Sequence, residues 1–164
     1  VAAALAVLRA PIARHERGVL HGDNRIAELT RRILVAHGFE RVTVAKEDAP
    51  LDGSAFDFAI ETIATTEAIR ALLAAVRPGG KIVLKSRPLS PIALDVAAAV
   101  AKEVSLHAVR YASFSSAIDL LASGRIVVDD LFERPVPLAS FERAFEHARG
   151  SESKKVFFSF DVKG

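Results

Sequence analysis

The sequence has no cysteine, no methionine, no tryptophan and a single tyrosine. Without cysteine there are no disulfides, thiolate metal sites or cysteine nucleophiles, and the redox compartment leaves no mark on the chain. Without methionine, a chain starting at Val1 is not an intact primary translation product, so the 164 residues are expected to be a piece of a longer protein. An excess of one charge is lacking too. The 22 Lys and Arg against 20 Asp and Glu leave +2, and the pI of about 9.2 exaggerates this because little titrates between histidine and lysine. The basic residues are dispersed, the densest group being Arg31 with Arg32, so no nucleic-acid partner is expected. Long apolar runs are also missing. Val1 to Leu8 and Ile92 to Ala101 are too short and alanine-rich to span a bilayer, and no signal peptide is visible. No membrane partner and a cytoplasmic location are therefore expected.

What is present suits one globular domain with a sizeable core, at 51% hydrophobic content. Apolar periodicity alternates between short β-like runs and helical stretches, the pattern of an α/β domain with a mainly parallel sheet and helices on both faces. Val1 to Arg9 reads as a helix ending before Pro11, and Gly18 to His21 as the first strand. Asn24 to His37 follows as a helix with Ile26, Leu29, Ile33 and Leu34 on one face, and Gly38 sits where its C-terminus wants a left-handed residue. Strands are expected at Arg41 to Ala45, Phe56 to Glu61, Lys81 to Ser86 and Ser105 to Val109. Helices are expected at Thr66 to Val76 behind the cap Thr65, at Pro91 to Lys102, and at Ser113 to Ser123 before Gly124. A last helix carries Phe141, Ala144, Phe145 and Ala148 at core spacing, and Val156 to Phe160 reads as a closing strand.

The segment Gly22-Asp23-Asn24-Arg25-Ile26-Ala27, between first strand and first long helix, occupies the place of a dinucleotide fingerprint. That motif needs one glycine for the tight turn, a second for close approach of the pyrophosphate, and a third small residue for packing, with the helix N-terminus supplying amide donors. Gly22 and Ala27 match, whereas Asn24 fills the second glycine position. At the end of the second strand stand Lys46, which suits a 2′-phosphate, and Glu47, which suits a free ribose hydroxyl. Only Lys46 to Ala55 separates the second strand from the next, less than a parallel crossover with a helix requires. The sheet is thus shortened here, and one face near the second strand is expected to be thinly covered. Farther on, Glu61-Thr62-Ile63-Ala64 and Lys85-Ser86-Arg87 close successive strands, where Lys85 and Arg87 suit phosphate or an acidic substrate. The five histidines show no metal spacing, and adjacent Asp129 and Asp130 read as solvated rather than as a carboxylate pair.

From Arg77-Pro78-Gly79-Gly80-Lys81-Ile82-Val83-Leu84, through Leu120-Leu121-Ala122-Ser123-Gly124-Arg125, to Pro137-Leu138-Ala139-Ser140-Phe141-Glu142-Arg143-Ala144-Phe145, the chain resembles one known family. It is similar to the C-terminal cofactor-binding (Rossmann) domain of medium-chain dehydrogenase/reductase proteins, the zinc-type alcohol dehydrogenase group. The resemblance implies residues 1–15 as a linker helix and connection, residues 16–164 as a single Rossmann-like domain, and NAD or NADP as ligand. It further implies hydride transfer at an alcohol or carbonyl, carried out with a catalytic domain upstream of Val1, and a homodimer built from paired cofactor domains. Gly22, Asp23, Asn24, Arg25 and Ile26 would then lie at the pyrophosphate, Lys46 and Glu47 near the ribose, and Thr62, Lys85 and Ser86 toward the nicotinamide. The zinc of that family has no expected site in this chain. Departures from the family are Asn24, a filled glycine position after Thr62, and the short segment 46–55, which cannot hold the helix and strand that line the adenine pocket.

The alternative is a Rossmann-derived domain that has lost its cofactor and serves assembly, through a sheet edge or the face near residues 46–55. A proline-glycine-glycine turn before an apolar strand also occurs in S-adenosylmethionine methyltransferases, but these need an acid closing the second strand and an antiparallel hairpin at the end. The order of elements here fits the dehydrogenase better.

Overall fold

Val19 and Leu20 are adjacent apolar residues, the pattern of a strand covered on both faces. In the computed structural model, which describes residues 1–149 and 155–160, every residue of β1 (Gly18–His21) is buried. On one side β1 pairs with β2 (Val42–Ala45), and on the other with β3 (Phe56–Glu61), followed by β4 (Val76–Leu84) and β5 (Ser105–Ala108). The order is β2-β1-β3-β4-β5 with every pairing parallel, the Rossmann-like α/β sheet expected. Strand order reverses between β1 and β3, the switch point outside whose carboxyl ends such sheets bind ligands.

Helices cover both faces. α1 (Ala2–Leu5), prolonged by a 3-10 turn at Ala6–Arg9, and α2 (Arg25–Ala36) pack with Val7, Ala27 and Leu34 on Leu20, Phe58, Ile60 and Val83. On the other face α3 (Thr66–Ala75) sets Ile69, Leu72 and Leu73 against Val19, Ala59 and Ile82. Burying each such Leu or Ile contributes roughly 2 kcal/mol relative to exposure. The segment 46–55 crosses from β2 to β3 with no helix, and Val44 on β2 stays 42% exposed.

Two strand ends differ from expectation. β4 begins at Val76 rather than Lys81, because Val76 pairs with Phe56 and residues 77–80 then bulge out before Lys81 meets Phe58. A Cβ on Gly80 would sit 2.7 Å from the Arg77 carbonyl, so the bulge admits no side chain there. β4 ends at Leu84 rather than Ser86, because the amides of Lys85 and Ser86 turn to the Glu61 carboxylate at 3.3 and 3.1 Å. The helix expected from Pro91 is also shorter. α4 covers only Val96–Ala101, since Asp95 caps it by accepting from the Ala98 amide, while the Ala93 amide donates to Thr66 Oγ1. α5 (Phe114–Ala122) starts at the Ser113 cap as expected.

The chain forms two compact units, Val1–Ile126 and Val127–Gly164. The second contains a 3-10 turn at Asp129–Leu131, β6 (Val136–Pro137), a 3-10 turn at Leu138–Ser140, α6 (Phe141–Ala148) and β7 (Phe158–Ser159), with β6 and β7 parallel. Asp129 and Asp130 are exposed. Of the stripe expected to be core on α6, Ala144 is buried while Phe141 and Phe145 remain 47% and 58% exposed. A unit this small encloses little, and Phe145 meets the Phe158 ring at 6.3 Å between centroids. The closing strand keeps two residues, and Lys154, which preceded it in the expected pattern, lies outside the described residues.

Candidate functional site

β1 runs into a turn at Gly22, whose φ of +121° only glycine adopts freely. A Cβ there would lie 2.3 Å from Thr62 Oγ1, so the absence of a side chain also lets the turn press against the loop after β3. Asn24 follows as the N-cap of α2. Its Oδ1 accepts from the amides of Ile26 at 3.0 Å and Ala27 at 3.1 Å. Its Nδ2 donates across the switch point to the Thr62 carbonyl at 2.9 Å and to Thr62 Oγ1 at 3.1 Å. Thr62 Oγ1 in turn donates to the His21 carbonyl at 2.8 Å. The Asn24 carboxamide therefore uses both donors and both acceptor positions.

His21, at the end of β1, is 1% exposed. Its Nε2 lies 3.3 Å from the Glu47 carbonyl, which makes Nε2 the protonated nitrogen and leaves Nδ1 a buried acceptor with no partner. Glu47 is thus anchored through its backbone, while the side chains of Lys46 and Glu47 are exposed at the end of β2. Asp23 and Arg25 are exposed beside the turn.

A second group gathers at the ends of β3 and β4. Glu61, 2% exposed, holds the amides of Ala64, Lys85 and Ser86 through its carboxylate. That grip fixes Ala64 at a φ of +58°, a conformation costly for a residue with a Cβ. Lys85 is buried and its Nζ donates to the Ala3 carbonyl of α1. Burial lowers its pKa to about 8, Arg87 pushes the same way and Glu61 opposes.

Of the residues expected at the site, Gly22, Asn24, Ile26 and Thr62 are joined by direct contacts. Lys85 and Ser86 are joined to each other through Glu61 rather than to that group. A third feature was not evident in sequence. The guanidinium carbons of Arg87 and Arg110 lie 5.3 and 5.4 Å from the Tyr111 ring centre, and Arg9 donates to the Tyr111 carbonyl at 3.1 Å. Arg9, His107 and Arg110 line a cavity of about 430 Å³ alongside. Arg110 and Tyr111 are neighbours in sequence, but Arg9 arrives from 102 residues away. Among the described residues no cluster of three His, Asp or Glu is placed to hold a metal, and no helix is long and apolar enough to cross a membrane.

A parallel sheet whose switch point is flanked by a glycine turn into a helix N-terminus defines a Rossmann-type fold. No family model matches the chain. A Rhizobium meliloti (strain 1021) protein provisionally named D-xylulose reductase is 31% identical over 183 aligned residues, covering 91% of this chain and 53% of that protein. The chain thus spans about half the length of this relative. In fold it is similar to a short chain alcohol dehydrogenase of E. coli CFT073 complexed with NADH, with TM-score 0.81, 16% identity, and coverage of 96% of this chain and 56% of that one. It is equally similar to a provisionally named zinc-binding dehydrogenase of Sinorhizobium meliloti 1021 bound to NADP, with TM-score 0.81, 16% identity, and coverage of 94% and 56%. In sequence the chain is thus similar to this reductase and in fold to these dehydrogenases, in line with a Rossmann domain like that of medium-chain dehydrogenase/reductase proteins.

Proposed function

We propose that the chain binds NAD or NADP as the cofactor domain of an oxidoreductase that moves a hydride between the nicotinamide and an alcohol or carbonyl. The observation that carries this reading is the Gly22 turn at the switch point, which leads the end of β1 directly into the N-terminus of α2. The backbone from Gly22 to Ile26 faces the pyrophosphate, with Asp23, Asn24 and Arg25 around it. Lys46 and Glu47 serve the ribose, and Thr62, Lys85 and Ser86 lie toward the nicotinamide. When bound, the cofactor supplies hydride chemistry, and this chain supplies its position. The name of the Rhizobium relative supports a sugar alcohol or its ketone as substrate, and a separate catalytic domain supplies the remaining contacts. A homodimer in the cytoplasm completes the reading, favoured by the open edges of β2 and β5.

The test is a calorimetric titration with NADH and NADPH, with Lys46→Asp alongside. Micromolar binding with a preference that Lys46→Asp moves toward NADH supports the proposal. Silence with both at millimolar ligand, from folded protein, sinks it. That silence would favour a Rossmann-derived assembly domain, the reading supported by the filled Asn24 position and the missing helix between β2 and β3.

A further inference from the structure

We infer that Asn24 is a built-in occupant of the diphosphate subsite, which a dinucleotide must displace, and that this residue thereby sets cofactor affinity. The inference rests on the cofactor reading above and deepens it. A helix N-terminus offers its first amides to an anion because they lack partners within the helix. In α2 two of those donors are already taken, because the Asn24 carboxamide oxygen holds the amides of Ile26 and Ala27.

Capping alone does not account for this arrangement. α3, α4 and α5 are capped by Thr65, Asp95 and Ser113, each of which takes a single amide with its side chain. Asn24 takes two amides and then reaches back across the switch point with Nδ2 to Thr62. That bridge spans the crevice between the β1 turn and the β3 loop, the path a dinucleotide follows across such a sheet. The same turn leaves one polar demand unmet, the buried Nδ1 of His21. The side chain can also leave. Asn24 is exposed, so its carboxamide passes into water, and phosphate oxygens replace a neutral acceptor with a charged one that amides bind more strongly.

The consequence is a competition between side chain and ligand. If the seated form dominates and the open form is about one molecule in ten, apparent affinity falls about tenfold. NADH is titrated by calorimetry into the full chain, Asn24→Gly and Asn24→Ser, with folding of each verified by thermal melting and the Ile26 and Ala27 amide resonances followed. Glycine is tolerated at helix starts nearly as well as asparagine, and serine caps equally well. Asn24→Gly is expected to bind about tenfold tighter or more. Asn24→Ser, too short to bridge to Thr62, should move in the same direction by less, and the two amides should shift on ligand addition. Unchanged or weaker binding in both folded variants, where the parent chain binds, overturns the inference and leaves the cofactor reading standing. Absence of binding in all three overturns both. If Asn24→Gly does not fold, the direction of change in Asn24→Ser decides.

Discussion

Lys85 shows how a single residue at a strand end bears on the stability of the sheet and the helix above it. Its ammonium is buried beneath α1, where it donates to the Ala3 carbonyl, and burial lowers its pKa from 10.5 to about 8. Below pH 8 folded and unfolded chains both hold the proton, and the folded state carries the full cost of a buried charge. Between about 8 and 10.5 the folded chain releases the proton while the unfolded chain retains it, so stability rises with pH. Lys85 keeps 9% of its surface exposed, and solvent screening limits the effect to on the order of 1 kcal/mol. Lys85→Met removes the titration, so its stability relative to the parent should be highest near pH 7 and fall as pH passes 9. Urea unfolding midpoints at the two pH values measure this, and a pH-independent difference would show that Lys85 is not desolvated in the folded chain. Glu61 stands beside it as a buried acid at the end of β3, after the apolar run Phe58-Ala59-Ile60. That placement was a readable sign of a buried anchor, although its partners 24 and 25 residues away were not.

Elements here owe their ends to groups elsewhere in the chain. α3 stops at Ala75, and its last turn meets Lys102, whose Nζ donates to the carbonyls of Leu73, Ala74 and Val76 at 2.8 to 2.9 Å. An ammonium at that position satisfies orphan carbonyls and opposes the negative end of the helix dipole. Lys102→Met should therefore cost about 1–2 kcal/mol, with hydrogen exchange accelerated at the last amides of α3 and unchanged in α2. Uniform acceleration would instead mean that Lys102 stabilises the whole unit. The same dependence explains which elements sequence could delimit. β1, β3, α2 and α3 were legible because their apolar spacing and caps are local, Thr65 and Asn24 standing where the helices begin. The ends of β4 were not, because they depend on Phe56 pairing with Val76 and on Glu61 drawing off the amides of residues 85 and 86. At the site, the position of Gly22 and Asn24 followed from spacing. The bridge from Asn24 to Thr62 closes over 38 residues and needs the parallel pairing of β1 with β3 before it exists.

At the scale of the whole molecule, the division at Ile126 assigns the candidate chemistry to one unit. Gly22, Asn24, Thr62, Lys85 and Ser86 all lie in Val1–Ile126, as do all five strands of the parallel sheet and both buried clusters that sandwich it. The second unit has two-residue strands and leaves Phe141, Phe145 and Phe160 exposed, at 47%, 58% and 77%. A core with its own sheet and helices on both faces is expected to fold without appended chain, whereas a unit with one short helix and few buried side chains is not. A fragment comprising residues 1–126 should therefore unfold in one cooperative transition, and its NADH affinity should stay within about threefold of the full chain, a change smaller than ~0.7 kcal/mol, since it holds all of these residues. Residues 127–164 alone should show no cooperative transition. Calorimetric melting and titration of both fragments measure this. Collapse of the 1–126 fragment, or loss of its binding by more than tenfold where the full chain binds, would mean that the cofactor site depends on the second unit despite containing none of its residues.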